Sequence, residues 1–254
     1  MTDLAKFAER LDNAQRDAKA TPQLSNEANL SMAEAYKIQE MLINRRIARN
    51  EHRIGMKMGF TSRAKMVQMG LSDMIWGRLT DRMMLEDGGN LEFAKYVHPR
   101  VEPEIAFLLK RPLSGPVTPA QAMAAVEAVA PAIEVIDSRY ENFKFSLADV
   151  VADNSSSSGI VLGTWQRPDT DLSNLGMVLE LNGRVVQVGS TAALLGHPAR
   201  SLAAASRLVA EADETLETGW IIMAGGATAA EALGKGVCAR LVVQNLGSVS
   251  ITAV

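Results

Sequence analysis

The pattern of apolar residues changes near Ile54, and this change constrains the fold more than any other feature of the sequence. Before it the chain reads as helical. Leu4, Phe7, Ala8 and Leu11 recur at helical spacing and give one apolar stripe, which Thr21-Pro22 ends. Ser31-Met32-Ala33-Glu34 is a capping box opening a second helix, with Ala35, Ile38, Met41 and Leu42 on its buried face and Arg45, Arg46 and Arg49 near its end. After Ile54, Gly55, Gly59, Gly70 and Gly77 punctuate short segments, and Met66, Met69 and Leu71 are expected to pack a short helix between them. Beyond the turn signal Asp87-Gly88-Gly89-Asn90 the chain becomes strand-rich. Val101–Leu109 alternates as a strand, Thr118-Pro119-Ala120-Gln121 caps a helix expected to run to about Val129, and residues 132–137 are again extended. Asn182-Gly183 between two apolar segments predicts a type I′ hairpin over 179–186. A helix is expected over 202–212, and residues 220–223, 237–243 and 248–254 read as closing strands. The fold class is therefore α+β and β-rich, with a small helical N-terminal part (residues 1–80) and a β-rich body (residues 81–254).

Composition narrows the function. A net charge of -3 gives no basic field for nucleic acid or an anionic membrane, and no apolar run approaches the length of a bilayer span. The single cysteine, Cys238, excludes an intramolecular disulfide and a thiolate metal cluster, so a reducing cytoplasm is the expected location. Three histidines, His52, His98 and His197, show no metal-binding spacing. A bound metal would depend on carboxylates. The glycine-rich nucleotide motifs and a regular β-α alternation are both missing.

The acids stand out because of where they sit. On a strand over His98–Phe107, Val101, Pro103, Ile105 and Phe107 share one face, and Glu102, Glu104 and Ala106 share the other. Glu134 lies in the middle of the apolar run Pro131–Ile136. These three could converge on one hard divalent cation. Spacing alone leaves open that they are solvated acids on an ordinary polar face. Lys57, flanked by Met56 and Met58, is either partly buried and available for proton transfer or a lysine reaching solvent from a loop. Asp153-Asn154-Ser155-Ser156 offers hydroxyls and amides for a carboxylate, or is a polar turn. Gly225-Gly226-Ala227-Thr228 could present backbone N–H groups to an anion, or is a plain loop. Leu195-Gly196-His197-Pro198 reads as a helix opening.

Taken in order, several segments resemble the hydratase/decarboxylase family of the fumarylacetoacetate hydrolase-like superfamily. They are Gly55–Ser62, His98–Phe107, Glu134–Tyr140, Ala152–Ser156, Leu195–Pro198 and Gly247–Ser250, and the likeness spans residues 38–254. The resemblance implies a mixed β-sandwich roll, with Glu102, Glu104 and Glu134 as ligands of Mg²⁺ or Mn²⁺ and Lys57 as the active-site lysine. It implies N-terminal helices beside the site mouth, expected to move as a lid. Gly-Met-Lys-Met-Gly at 55–59, 61–66 and 137–145 look like the family's 2-oxo-3-hexenedioate (4-oxalocrotonate) decarboxylases. Its 2-hydroxypenta-2,4-dienoate hydratases usually carry Asp-Phe-Gly where this chain has Ile75-Trp76-Gly77. On that reading the substrate is a small 2-oxo dicarboxylate from catechol meta-cleavage. Ser156 and Thr228 would bind its C1 carboxylate, and Ile75 and Trp76 would wall its distal end. A complex with the pathway hydratase is also implied. Asp81 receives no role. The alternatives are a hydratase of the same fold, a C–C hydrolase or tautomerase of the wider superfamily, and a non-catalytic dicarboxylate-binding protein.

Overall fold

The computed structural model describes residues 3–62, 66 and 73–254. Met69 and Leu71, expected in a short helix, lie outside these residues. Leu4–Arg16 forms α1 and Met32–Ile47 forms α2. Ser31 and Glu34 close the expected capping box reciprocally. The two helices are clasped by Asp12 of α1, which accepts from Arg45 and Arg49 of α2 at 2.6–3.0 Å.

The helical part ends at Ile47, earlier than the expected division at residue 80. Arg53–Gly59 (β1) and Ile75–Thr80 (β2) pair antiparallel and belong to the main sheet. They are followed by Met84–Leu85 (β3), Asn90–Leu91 (β4) and the long Arg100–Leu109 (β5). The helix capped by Thr118 is short, Pro119–Ala124 (α3), and stops well before Val129. Val126–Ile136 is instead β6, paired antiparallel with β5 from Leu109↔Val126 to Arg100↔Ile136. The β-branched residues 126, 129, 133, 135 and 136 and the ten-residue partner strand override the helical start. Leu147–Ala152 (α4), Ser157–Leu162 (β7), Gly176–Leu181 (β8) and Arg184–Ser190 (β9) follow. β8 and β9 form the expected hairpin, with Asn182 and Gly183 both at positive φ. Pro198–Ala210 (α5) opens at the expected Leu195–Pro198 segment, capped by His197 with proline at the first position. Ile221–Met223 (β10), Glu231–Ala232 (β11), Cys238–Val243 (β12) and Gly247–Ala253 (β13) complete the chain.

The strands make two sheets. The larger runs β2-β1-β10-β5-β6-β7-β3 with β11 beside β5, and the smaller runs β4-β13-β12-β8-β9. The larger is mixed, because β10 lies parallel to β1 and antiparallel to β5. The odd-numbered β5 residues Val101, Ile105 and Phe107 join Ile133 and Val135 of β6 in one core with Met177, Leu179, Leu241, Val249 and Ile251 of the small sheet. That is a sheet-on-sheet sandwich. The opposite face of the large sheet carries a second core, in which Leu11, Ile38 and Leu42 of the helices meet Ala106, Ala132, Ile160 and Met223. Gln39 of α2, fully buried, donates to the Trp76 and Val151 carbonyls at 3.1 and 2.8 Å and accepts from Arg78 Nη1 at 2.7 Å. Any lid motion of α2 has to break these three bonds. Among the described residues no helix is long and apolar enough to cross a membrane.

Candidate active site

The helix-covered face of the large sheet holds the acids. Glu102 of β5 stands directly opposite Glu134 of β6, so their side chains leave the same face, and Glu104 lies two residues further along β5. Carboxylate oxygens of Glu102, Glu104 and Glu134 lie within 4.8 Å of one another. Glu104 and Glu134 are fully buried and Glu102 is half-buried.

Glu134 and Glu104 are held from different elements. Lys57 of β1, itself buried, donates from Nζ to Glu134 Oε2 at 3.2 Å, and Ser157 Oγ donates to Glu134 Oε1 at 3.0 Å. The Gly225 N–H donates to Glu104 Oε2 at 2.7 Å, while Glu104 Oε1 has no partner among the described residues. Burial, then the charges of Glu134 and Glu102, push the Glu104 carboxyl well above the usual carboxylate range, against the pull of Lys57 and the Gly225 N–H.

The turn after β10 makes this convergence possible. Gly225 has φ +104°, and a Cβ there would overlap the Thr61 hydroxyl; a Cβ on Gly226 would come within 2.9 Å of the Glu102 carboxyl carbon. Only glycine lets the turn close over both groups. The anion met by this glycine turn is thus the protein's own Glu104, and a single N–H meets it.

A cavity of about 290 Å³ adjoins the acids, lined by Lys57, Gly59, Phe60, Thr61, Ile75, Glu102, Ile136, Phe143, Phe145, Val150, Ser155, Ser156 and Gly226. Its wall is largely apolar. Ser156 Oγ and Thr61 Oγ1 are buried and have no partner among the described residues. The Ser156 backbone is part of a run in which Asn154, Ser155 and Ser156 all adopt positive φ, 51°, 51° and 61°. Side chains fasten this run to β2. Asn154 accepts from Arg78 N at 2.7 Å and donates to Arg78 O at 2.9 Å, and Ser155 Oγ donates to Trp76 O at 2.8 Å. Asp153 is taken up by Arg139. Of the four residues singled out in this segment, Ser156 keeps its hydroxyl uncommitted.

The structure therefore brings together Glu102, Glu104, Glu134, Lys57, Ser156 and Ile75. It does not bring Trp76 or Thr228. Neighbours on a strand point to opposite faces, so with Ile75 in the cavity wall Trp76 turns to the other side. There it stacks on Tyr36 at 5.2 Å and lies under Arg78. Thr228 packs toward Gly189 of β9, its hydroxyl donating to Ala229 O at 3.0 Å, and is not among the lining residues. Thr61 occupies the cavity instead. Asp81 sits in an exposed turn and accepts from His52 N at 3.0 Å. The residues the sequence reading left unassigned are Thr61, Ser157, Phe143 and Phe145. Thr61 carried a signal, since it closes the Gly55–Ser62 segment.

Among the described residues three carboxylates converge beside one ammonium, an arrangement that favours a bound positive charge. All-oxygen donors and the orphaned Glu104 Oε1 fit one hard divalent cation.

Comparison with known proteins agrees with this geometry. The model of the fumarylacetoacetate (FAA) hydrolase C-terminal family matches residues 51–253. A 4-oxalocrotonate decarboxylase of a Pseudomonas species is 58% identical over 249 residues, covering 98% of this chain and 97% of the relative. A 2-hydroxypent-2,4-dienoate hydratase of Pseudomonas putida is 40% identical over 187 residues, covering 72% of this chain and 84% of the relative. Among solved structures, 4-oxalocrotonate decarboxylase from Pseudomonas putida G7, complexed with magnesium and adipate, matches with a TM-score of 0.95 at 41% identity, over 99% of this chain and 97% of that one.

Proposed function

The chain belongs to the fumarylacetoacetate hydrolase C-terminal family, and on that premise we propose that it is a carboxy-lyase converting 2-oxo-3-hexenedioate (4-oxalocrotonate) to 2-hydroxypenta-2,4-dienoate and CO₂. The observation that carries the reading is the buried trio Glu102, Glu104 and Glu134 beside Lys57. Its decarboxylase relatives, similar over nearly the full length, supply the reaction class.

Glu102, Glu104 and Glu134 hold the cation, Mg²⁺ or Mn²⁺, which when bound supplies Lewis acidity and a fixed positive charge next to the 2-oxo acid end of the substrate. Ser156 Oγ and Thr61 Oγ1 donate to the C1 carboxylate. The bond to the distal carboxylate breaks, and its electron pair passes along the conjugated chain to the C2 oxygen. Lys57 Nζ, oriented by Glu134, hydrogen-bonds that oxygen and delivers the proton that completes the dienol. Ile75, Val150 and the phenylalanines keep water from the reacting chain. An isoleucine at 75 leaves the cavity wall without the acid that hydration chemistry would use to place a water.

The hydratase at 40% identity makes hydration the second reading. One assay separates the two. With Mg²⁺, the protein is expected to release one CO₂ per 2-oxo-3-hexenedioate consumed and to leave 2-hydroxypenta-2,4-dienoate unhydrated. Hydration of the dienoate without CO₂ release would reverse the assignment. The product is a hydratase substrate, so a complex with the pathway hydratase and a shared cytoplasmic location belong to the same proposal, testable by co-purification.

A further inference from the structure

Among the described residues the cavity lining contains one cation, Lys57, and that ammonium is engaged by Glu134. A diacid lying along the cavity with its 2-oxo end at the acids needs a cation for its other carboxylate, and the described lining offers none beyond Lys57. Arg100 is placed to meet it. It is the next residue on the Glu102 side of β5, and it stands directly across from Ile136 of β6. Both Glu102 and Ile136 line the cavity. The guanidinium carbon of Arg100 lies 4.2 Å from the centre of the Phe143 ring, which lines the cavity as well. His98 and Phe145 pack edge-on against that ring, with centroids at 6.2 and 5.4 Å. Asn142 and Phe143 hold left-handed backbone angles, φ 58° and 55°, in the turn that carries the ring. Arg100 is half-buried, and its guanidinium makes no hydrogen bond or ion pair with any described residue.

We propose that Arg100, stacked on Phe143, binds the distal carboxylate of the substrate and sets a preference for diacids over monoacids. The spacing fits. Two residues along a strand advance about 6.8 Å, and five chain bonds of an extended six-carbon diacid span roughly 6 Å. A stacked guanidinium presents its N–H fork at the ring edge, where it suits a carboxylate. The contact exists in the bound substrate and weakens as the carboxylate becomes neutral CO₂. It therefore contributes to KM rather than to kcat. The product lacks the second carboxylate, so its release is not held back by this contact.

The proposal rests on the decarboxylase reading for the identity of the diacid, and its test is chosen to be separable. Inhibition constants of adipate and of hexanoate, equal in chain length and differing in one carboxylate, are measured with Mg²⁺ for the wild type, Arg100→Gln and Arg100→Lys. Arg100→Gln is expected to weaken adipate by about tenfold or more and hexanoate by less than about twofold. KM should rise while kcat stays unchanged or increases, with Mg²⁺ affinity unchanged. Arg100→Lys should retain part of the adipate preference, and it carries the test should Arg100→Gln not fold. Parallel weakening of both acids, or no change in either, would overturn the proposal. A wild type that releases no CO₂ would sink the decarboxylase reading and leave the adipate–hexanoate comparison standing.

Discussion

The two faces of β5 and β6 are built from alternate residues of the same strands, yet they obey opposite rules. Toward the small sheet, Val101, Ile105, Phe107, Ile133 and Val135 are buried with apolar partners. Toward the helices, Glu102, Glu104 and Glu134 converge, and Glu104 Oε1 lacks a partner among the described residues. The first face stabilises the chain. The second gathers negative charge that a bound cation would relieve. A single pair of strands can thus separate stability from chemistry by the period-two alternation of its side chains.

That separation can be broken by mutation, and the largest effect is expected at Glu104. Glu104→Gln should weaken Mg²⁺ binding and turnover by more than about 100-fold, beyond what loss of a supporting contact costs. It should also leave the thermal midpoint of the metal-free protein unchanged or higher, because one repelled buried charge is gone. Titration calorimetry and a melting curve check both. A large fall in the midpoint would mean that Glu104 belongs to the stabilising face after all.

Lys57→Ala comes next. Turnover should drop by about 10²–10⁴-fold, the range for a lost proton-transfer group, while Mg²⁺ still binds. Equal loss of both would make Lys57 a support for the ligands alone. On the other face, Ile133→Ala should cost about 2–5 kcal/mol of stability through the cavity it leaves. Its Mg²⁺ affinity should match the wild type under conditions where both are folded. Denaturant unfolding and Mg²⁺ titration of the same variant make the comparison.

The smallest effect concerns the helices that cover the site. Burial alone would raise Asp12, but the hydrogen bonds and charges of Arg49 and Arg45 outweigh it and hold its carboxyl below the ordinary range. A folded-state pKa below the unfolded one gives stability that is present above the unfolded value, about 3.9, and is lost as pH falls through the folded one. Acid unfolding of the wild type should therefore steepen below about pH 4, and Asp12→Asn should flatten that part of the curve. An identical acid limb in both would remove the clasp from the stability account.

Much of this arrangement was legible in the sequence because it rests on local periodicity. The alternation over 101–107 placed Glu102 and Glu104 on one face. Capping boxes located α2 and the start of α3, and Asn182-Gly183 located the β8–β9 turn. The failures are non-local. The residues after α3 look helical until β5 is there to pair with them. Ile75 and Trp76 are neighbours on a strand and face opposite sides, so only one of the pair can wall the cavity. Thr61 lines the cavity and Thr228 does not, because the Gly225-Gly226 turn carries the chain over Glu102 and Thr61, and a turn's direction is not encoded in spacing. Arg100 stands in the same alternation as the acids, but its stacking on Phe143 depends on the turn at Asn142.

The central claim is that Glu102, Glu104 and Glu134 together hold one hard divalent cation. A crystal grown with Mn²⁺ and measured for its anomalous signal tests it most directly. One peak about 2.2 Å from an oxygen of each of the three carboxylates is the predicted result. A peak elsewhere, or none with the three side chains turned apart, would contradict the account.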